Sequence, residues 1–166
     1  MPARLTRTVG WTALAMSLGF ASATLPSWHL SDAAKEGFRE IWGTSVAERR
    51  ERVGCMGGVI ADDTVHVARV RLLPEGESDS LTAVAEVSLG ECAAPEWIGT
   101  VHTHVRSTDS DDPAPRFSPG DRTVMSEWSK RNGRAGAFCV LYSRKGAHCE
   151  VWPPRVEPRV LRPGGR

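Results

Sequence analysis

The segment from His102 to Asp121 reads HTHVRSTDSDDPAPRFSPGD, and the two histidines at its start and the aspartate at its end can bind a metal ion. His102 and His104 are two residues apart, and side chains alternate along a strand, so both imidazoles would share one face while Thr103 points the other way. Asp121 adds a carboxylate after the loop. Two His and one Asp would give zinc three protein ligands and leave a fourth position for water, which is the pattern of a catalytic zinc site.

Each of these residues also has a plainer interpretation. A His-x-His pair is compatible with two solvated histidines on an exposed strand, or with one that is buried and hydrogen-bonded. Ser118 and Asp121 resemble a capping box, in which both residues serve only to start a helix. The two roles can coexist, because a strand end and the next helix start are neighbours when the loop returns over the sheet edge.

A catalytic zinc site needs a base, and Glu51 is the candidate. Zinc lowers the pKa of its water toward ~7, and a carboxylate must accept the proton and deliver it to the leaving group. Glu51 stands just before the glycine-rich stretch GCMGG. The alternative is that Glu48 and Glu51 are solvated partners of the arginines at positions 49, 50 and 52 in a charged helical turn.

The elements that must position these residues follow from periodicity. Ser31 is a plausible N-cap of a helix over 31–43, with Gly43 as its stop and a second, charged helical turn over 44–53. Two strands are predicted over 54–60 and 64–73, joined at ADD, and the ambiguous segment 81–89 is interpreted as a strand.

The second half of the chain carries the metal-binding candidates. A strand is predicted over 97–105 from its β-branched and aromatic content. Ser118 caps a helix over 118–133 with Pro119 at its first position. The segments 135–143 and 147–152 form a final hairpin. This order predicts one α/β (α+β) domain built around one sheet.

In this order and on these elements, the motif set resembles the JAMM (MPN-type, JAB domain) family of zinc metalloproteases. The set is Glu51-x-x-Gly54-x-Met56-x-Gly58, then His102-x-His104, then Ser118-x-x-Asp121. The resemblance covers residues 32–153. It implies a single central, mostly antiparallel sheet flanked by helices, in the JAMM/MPN-like (cytidine-deaminase-like) architecture.

The resemblance also implies a role for each matched residue. Glu51 would be the general base, and His102, His104 and Asp121 would bind one zinc ion. Ser118 would donate a hydrogen bond to the developing oxyanion. The expected activity is hydrolysis of a peptide or isopeptide bond in a peptide or protein substrate, by a zinc-bound water. The alternative is a non-catalytic binding or scaffold module of the same fold, with a structural metal or none.

Two departures from the family pattern fall after the second histidine. Many members have Pro where this chain has Val105, and the insert of thirteen residues from Val105 to Phe117 is longer than is usual. Loops tolerate insertions, so the insert bears on substrate geometry more than on metal ligation. The insert contains three aspartates, Asp109, Asp111 and Asp112, which we interpret as part of a solvated acidic loop. The alternatives are a second metal site and a contact to a basic substrate.

The N-terminus predicts export. Arg4 and Arg7 precede an uncharged stretch that ends at Asp32, and Ala21-Ser22-Ala23 has the pattern of a cleavage site. Residues 1–23 are therefore predicted to be a signal peptide or, if uncleaved, a membrane anchor. The expected location is periplasmic or extracellular. The proline-rich residues 154–166 are predicted to be a disordered tail.

Four cysteines fit an oxidising compartment. A hairpin turning near Gly146 would set Cys139 opposite Cys149 for a cross-strand disulfide, leaving Cys55 and Cys92 as a second pair; four buried free thiols are the alternative. The formal net charge is +1 without a basic stripe, so no nucleic-acid partner is predicted. Apart from the N-terminal segment, nothing predicts contact with a membrane.

Overall fold

The computed structural model describes residues 25–74, 87–105 and 114–153. The predicted signal peptide, the predicted tail and the three aspartates of the insert lie outside these ranges. The described strands are β1 (Ser27–Leu30), β2 (Val53–Ala61), β3 (Thr64–Leu72), β4 (Trp97–Thr103), β5 (Gly136–Ser143) and β6 (Gly146–Trp152), and the longer helices are α1 (Asp32–Glu48) and α2 (Pro119–Asn132).

The strands form one six-stranded sheet in the order β1-β3-β2-β4-β5-β6. The β1–β3 and β4–β5 pairs are parallel, and the other three pairs are antiparallel. The predicted fold class, a mostly antiparallel sheet flanked by helices, is therefore confirmed.

The helix α1 begins where the sequence predicts and ends later. Ser31 caps it by accepting a hydrogen bond from the Ala34 N–H at 3.0 Å. The prediction that Gly43 stops it was wrong, because α1 continues to Glu48 and ends where Arg49 adopts the left-handed conformation at φ 53°. A glycine costs an exposed helix only about 1 kcal/mol, and the burial of Ile41 and Ser45 on either side of Gly43 outweighs that cost.

Two further elements differ from the predictions. Residues 87–91 are helical, so the strand predicted over 81–89 was wrong at its described end. Leu89 is buried there in a cluster with residues of α2 and β5, and this packing favours a helical turn over a strand. The short strand β1 was not predicted; four residues give little periodicity, and it forms by pairing in parallel with β3.

The two helices lie on opposite faces of the sheet, and this arrangement positions the site. In β5, Cys139 packs in the cluster that contains Ala34 and Ile41 of α1, whereas Phe138 packs in the cluster that contains Trp128 of α2. Successive strand residues therefore face different helices. The same alternation in β4 determines which side chains can reach α2.

Both predicted disulfides are confirmed. Cys139 and Cys149 lie directly opposite each other in the β5–β6 ladder. Cys55 of β2 is bonded to Cys92, which follows the helical residues 87–91. Structural disulfides are typical of proteins outside the cytoplasm. Among the described helices, none has the length and apolar character needed to cross a bilayer.

Candidate metal centre

His102 and His104 lie at the end of β4 and face α2. His102 is the last residue but one of the strand, and His104 follows the strand directly. Their Nε2 atoms are 3.2 Å apart. Thr103 points to the opposite face and is fully buried. The predicted sharing of one face by the two imidazoles is confirmed.

Asp121 reaches both histidines from the first turn of α2. Its Oδ1 lies 3.3 Å from His102 Nε2, and its Oδ2 lies 3.5 Å from His104 Nε2. The predicted capping box is also present. The Ser118 N–H donates to Asp121 Oδ2 at 2.6 Å, and the Asp121 N–H donates to Ser118 Oγ at 3.1 Å. Asp121 is thus a helix-start residue and a metal-binding candidate at once.

The spacing of these donor atoms fits a zinc ion. His102, His104 and Asp121 form the group of potential ligands found among the described residues. Zinc binds imidazole nitrogen and carboxylate oxygen at about 2.0–2.2 Å, so the ligand atoms of a tetrahedral site are roughly 3.3–3.5 Å apart. The observed separations of 3.2, 3.3 and 3.5 Å match this value. Three ligands would leave one position open.

The end of the insert holds both histidine rings. The Ala114 carbonyl lies 2.8 Å from His104 Nδ1 and can only accept, so Nδ1 carries the proton and Nε2 keeps its lone pair for a metal. The Phe117 ring packs against the His102 ring with centroids 5.8 Å apart. The sequence carried no signal for either contact, because one uses a backbone atom and the other a loop residue.

Asp121 and His104 each shift the pKa of the other. Burial raises the pKa of Asp121, but hydrogen bonds with His102 and His104 outweigh burial and hold this pKa well below its usual range. The hydrogen bond with Asp121 raises the pKa of His104, against the opposing effect of burial. Protonation of His104 and ionisation of Asp121 therefore favour each other.

Glu51 lies beside this group, between the end of α1 and the start of β2. Val53 pairs with His102 in the β2–β4 ladder, and continuing that register sets Glu51 opposite His104. Burial raises the pKa of Glu51, whereas the charges of His104 and His102 lower it, so the carboxylate lies within electrostatic reach of both. Its neighbour Glu48 instead forms an ion pair with Arg52 at 3.4 Å. The solvated interpretation therefore fits Glu48 and does not fit Glu51.

A second polar cluster adjoins the site and was not predicted. Arg122, next to Asp121, donates two hydrogen bonds of 2.8 Å to the Glu150 carboxylate. The Glu150 carboxylate also lies 2.8 Å from His148 Nε2. The His148 ring also packs against the Phe117 ring, with centroids 5.5 Å apart. The spacing His148-x-Glu150 on one strand was the available signal.

Similarity to known proteins is found among solved structures. No family model matches the chain, and no curated protein matches it. The chain is similar to the crystal structure of a JAB1/MPN domain protein from Archaeoglobus fulgidus, which it matches over 73% of its own length and 86% of that chain. The sequence identity is 17% and the TM-score is 0.38.

Proposed function

We propose that the protein is an exported, zinc-dependent metallopeptidase of the JAMM type, which hydrolyses a peptide or isopeptide bond in a peptide or protein substrate. The observation that carries this proposal is the convergence of the donor atoms of His102, His104 and Asp121 beside a half-buried Glu51. A structural zinc site is usually closed by four protein ligands. Three ligands and a neighbouring carboxylate favour a catalytic site.

The donor set suits zinc, and the residues around it supply the remaining functions. When bound, zinc would polarise the scissile carbonyl and acidify a water molecule in the open position. Glu51 would accept the proton of that water and deliver it to the departing amine. Burial raises the pKa of Glu51 and so brings its proton affinity closer to what a shuttle at neutral pH needs.

Ser118 would stabilise the oxyanion. Its Oγ accepts the Asp121 N–H, and this bond uses a lone pair and leaves the hydroxyl proton for another acceptor. The hydroxyl is held at the start of α2, one turn from the metal-binding carboxylate. A donor fixed in this way is worth more than a mobile one, because no reorganisation is needed during the reaction.

Export is supported by the two disulfides together with the sequence of residues 1–23. A periplasmic or extracellular location would keep both disulfides oxidised. The substrate would then be a peptide or protein met outside the cytoplasm.

The test combines metal content with hydrolysis. Purified protein, loaded and then dialysed, should retain one zinc ion per chain and cleave members of a fluorogenic peptide library or an isopeptide-linked dipeptide set. Glu51→Gln should retain the zinc and abolish cleavage, while the matched control Glu48→Gln should retain both. Failure to retain zinc, or undiminished cleavage by Glu51→Gln, would refute the proposal. Bound zinc without any cleavage would support the binding-module alternative.

A further inference from the structure

The side chain between the two histidines forms a buried polar contact of its own. Thr103 Oγ1 lies 2.5 Å from Ser45 Oγ, and both residues are fully buried. The same Oγ1 accepts the Arg52 N–H at 2.8 Å, and the Thr103 N–H donates to the Arg52 carbonyl at 3.0 Å. One hydroxyl therefore joins α1, β4 and the residue that follows Glu51.

This contact restrains the connection between α1 and β2, which contains Glu51. The helix α1 ends at Glu48, three residues after Ser45, and the chain passes through the left-handed Arg49 and enters β2 at Val53. Glu51 stands in this short connection, before the first residue of the strand. The backbone of Arg52, the residue after Glu51, ties the connection to β4.

We propose that Thr103 and Ser45 are positioning residues that hold Glu51 at the metal centre. Thr103 lies on the face of β4 opposite the histidines, so it acts through the backbone of Arg52 and not on the metal or the substrate. The proposal rests on the proposed function, since it assigns Glu51 the role of base. It also explains why a hydroxyl residue stands between two metal-binding candidates on a strand that is otherwise apolar on this face.

A purely structural role of the Ser45–Thr103 contact would affect stability and not the turnover rate. A buried hydroxyl pair that only stabilises the fold would lower stability when removed and leave the turnover of folded molecules unchanged. A positioning role predicts that kcat falls in folded, zinc-loaded protein, while KM and zinc affinity stay within about twofold of wild type. A displacement of about 1 Å at a catalytic group is enough to lower a rate about 100-fold.

The experiment uses Thr103→Val, which keeps the shape and removes the hydroxyl, together with Thr103→Ser and Ser45→Ala. Thr103→Val should lower kcat about 10- to 100-fold. Thr103→Ser should restore most of it, and Ser45→Ala should fall between them. The matched control is Ser129→Ala, which removes a buried hydroxyl near the end of α2 that donates to the Trp152 carbonyl at 2.9 Å. It should lower stability without changing kcat.

A structural readout makes the test independent of hydrolysis. Crystal structures of zinc-loaded wild type, Thr103→Val and Ser45→Ala should show the Glu51 carboxylate displaced in the variants and His102 and His104 unmoved. An unmoved Glu51, or a kcat that follows only the loss of folded protein, would overturn the inference. If wild type shows no hydrolysis, the proposed function fails by itself, and the displacement of Glu51 still decides the positioning role. Should Thr103→Val not fold, Ser45→Ala and Thr103→Ser carry the same comparison.

Discussion

The Ser118 N–H donates to Asp121 Oδ2 at 2.6 Å, and the same oxygen lies 3.5 Å from His104 Nε2. A capping-box hydrogen bond thus fixes the rotamer of a metal-binding candidate. The hydrogen bond that stabilises the start of α2 also orients the Asp121 carboxylate toward the histidines. The helix start and the candidate metal site are therefore one structural unit, and substitutions can separate helix capping from metal binding.

Asp121→Asn should separate metal affinity from helix capping. The Asn oxygen can still accept the Ser118 N–H, so the start of α2 should persist, but the site loses its anionic ligand. Because loss of a hydrogen-bond partner behind a ligand alone costs about 10- to 100-fold in affinity, we expect zinc affinity to fall at least ~100-fold. Competition with a chromophoric chelator measures this. Glu127→Gln, on the exposed side of the same helix, should leave affinity unchanged; an equal loss in both variants would contradict the assignment.

Substitutions of Ser118 should separate its role in helix capping from its proposed role in catalysis. Alanine at an N-cap costs about 1 kcal/mol of stability, whereas glycine costs only a few tenths. Ser118→Gly should therefore remain nearly as stable as wild type and Ser118→Ala should not, yet both lose the hydroxyl. If Ser118 stabilises the oxyanion, both should lose about 100-fold in kcat. Urea unfolding and steady-state kinetics on the same preparations check this. A kcat that parallels stability across the pair would assign Ser118 to capping alone.

The two disulfides should differ in their contribution to stability. Cys55 and Cys92 are 37 residues apart in sequence, and Cys139 and Cys149 are 10 apart. The entropy of loop closure predicts about 4 kcal/mol for the longer loop and about 3 kcal/mol for the shorter one. Removal of the Cys55–Cys92 bond by a double Cys→Ser substitution should therefore destabilise the protein by about 1 kcal/mol more than the same removal of the Cys139–Cys149 bond. Equal losses in urea unfolding would contradict the expectation.

The sequence predicted the parts of the fold that short-range signals determine. Ser31 and Ser118 mark helix starts because a capping side chain acts within three residues. The end of α1 was misplaced because Gly43 carries a stop signal that burial of the neighbouring turns overrides. The strand β1 has no signal of its own, since it exists through pairing with a strand more than thirty residues later.

The candidate site, like the fold, has parts that local sequence patterns predict and parts that they do not. The convergence of His102, His104 and Asp121 could be predicted because strand alternation and a capping box are local patterns. The Ala114 carbonyl and the contact between Ser45 and Thr103 could not, because each depends on where the chain returns after a loop or a helix. Tertiary contacts over 10 and 58 residues leave no periodic trace in the sequence.

Two glycines of α1 should respond oppositely to alanine. A Cβ at Gly37 would lie 2.7 Å from Val70 Cβ and 3.2 Å from the Val70 carbonyl oxygen, so Gly37→Ala should push α1 away from β3. Overpacking of this kind costs about 1–3 kcal/mol. A Cβ at Gly43 would meet nothing within 4 Å, so Gly43→Ala should stabilise by about 0.5–1 kcal/mol. The free energies of urea unfolding test both signs, and a stabilised Gly37→Ala would show that the helix packs less closely.

The Arg122–Glu150 pair should make stability depend on pH in one direction. Hydrogen bonds from Arg122 lower the pKa of Glu150, against the opposing effect of burial. The carboxyl of Glu150 therefore binds a proton more readily in the unfolded chain than in the folded protein. The ion pair stabilises the folded protein fully above the ordinary glutamate pKa of about 4.3, and this contribution is lost as the pH falls through the pKa of the folded state. Because Arg122 is 42% exposed, we expect the ion pair to contribute only about 1 kcal/mol to the free energy of unfolding. Wild type should therefore exceed Glu150→Gln in unfolding free energy at pH 7, and the difference should shrink below about pH 4. The exposed control Glu127→Gln should show a smaller difference at both pH values, and a gap that widens on acidification would contradict the assigned sign.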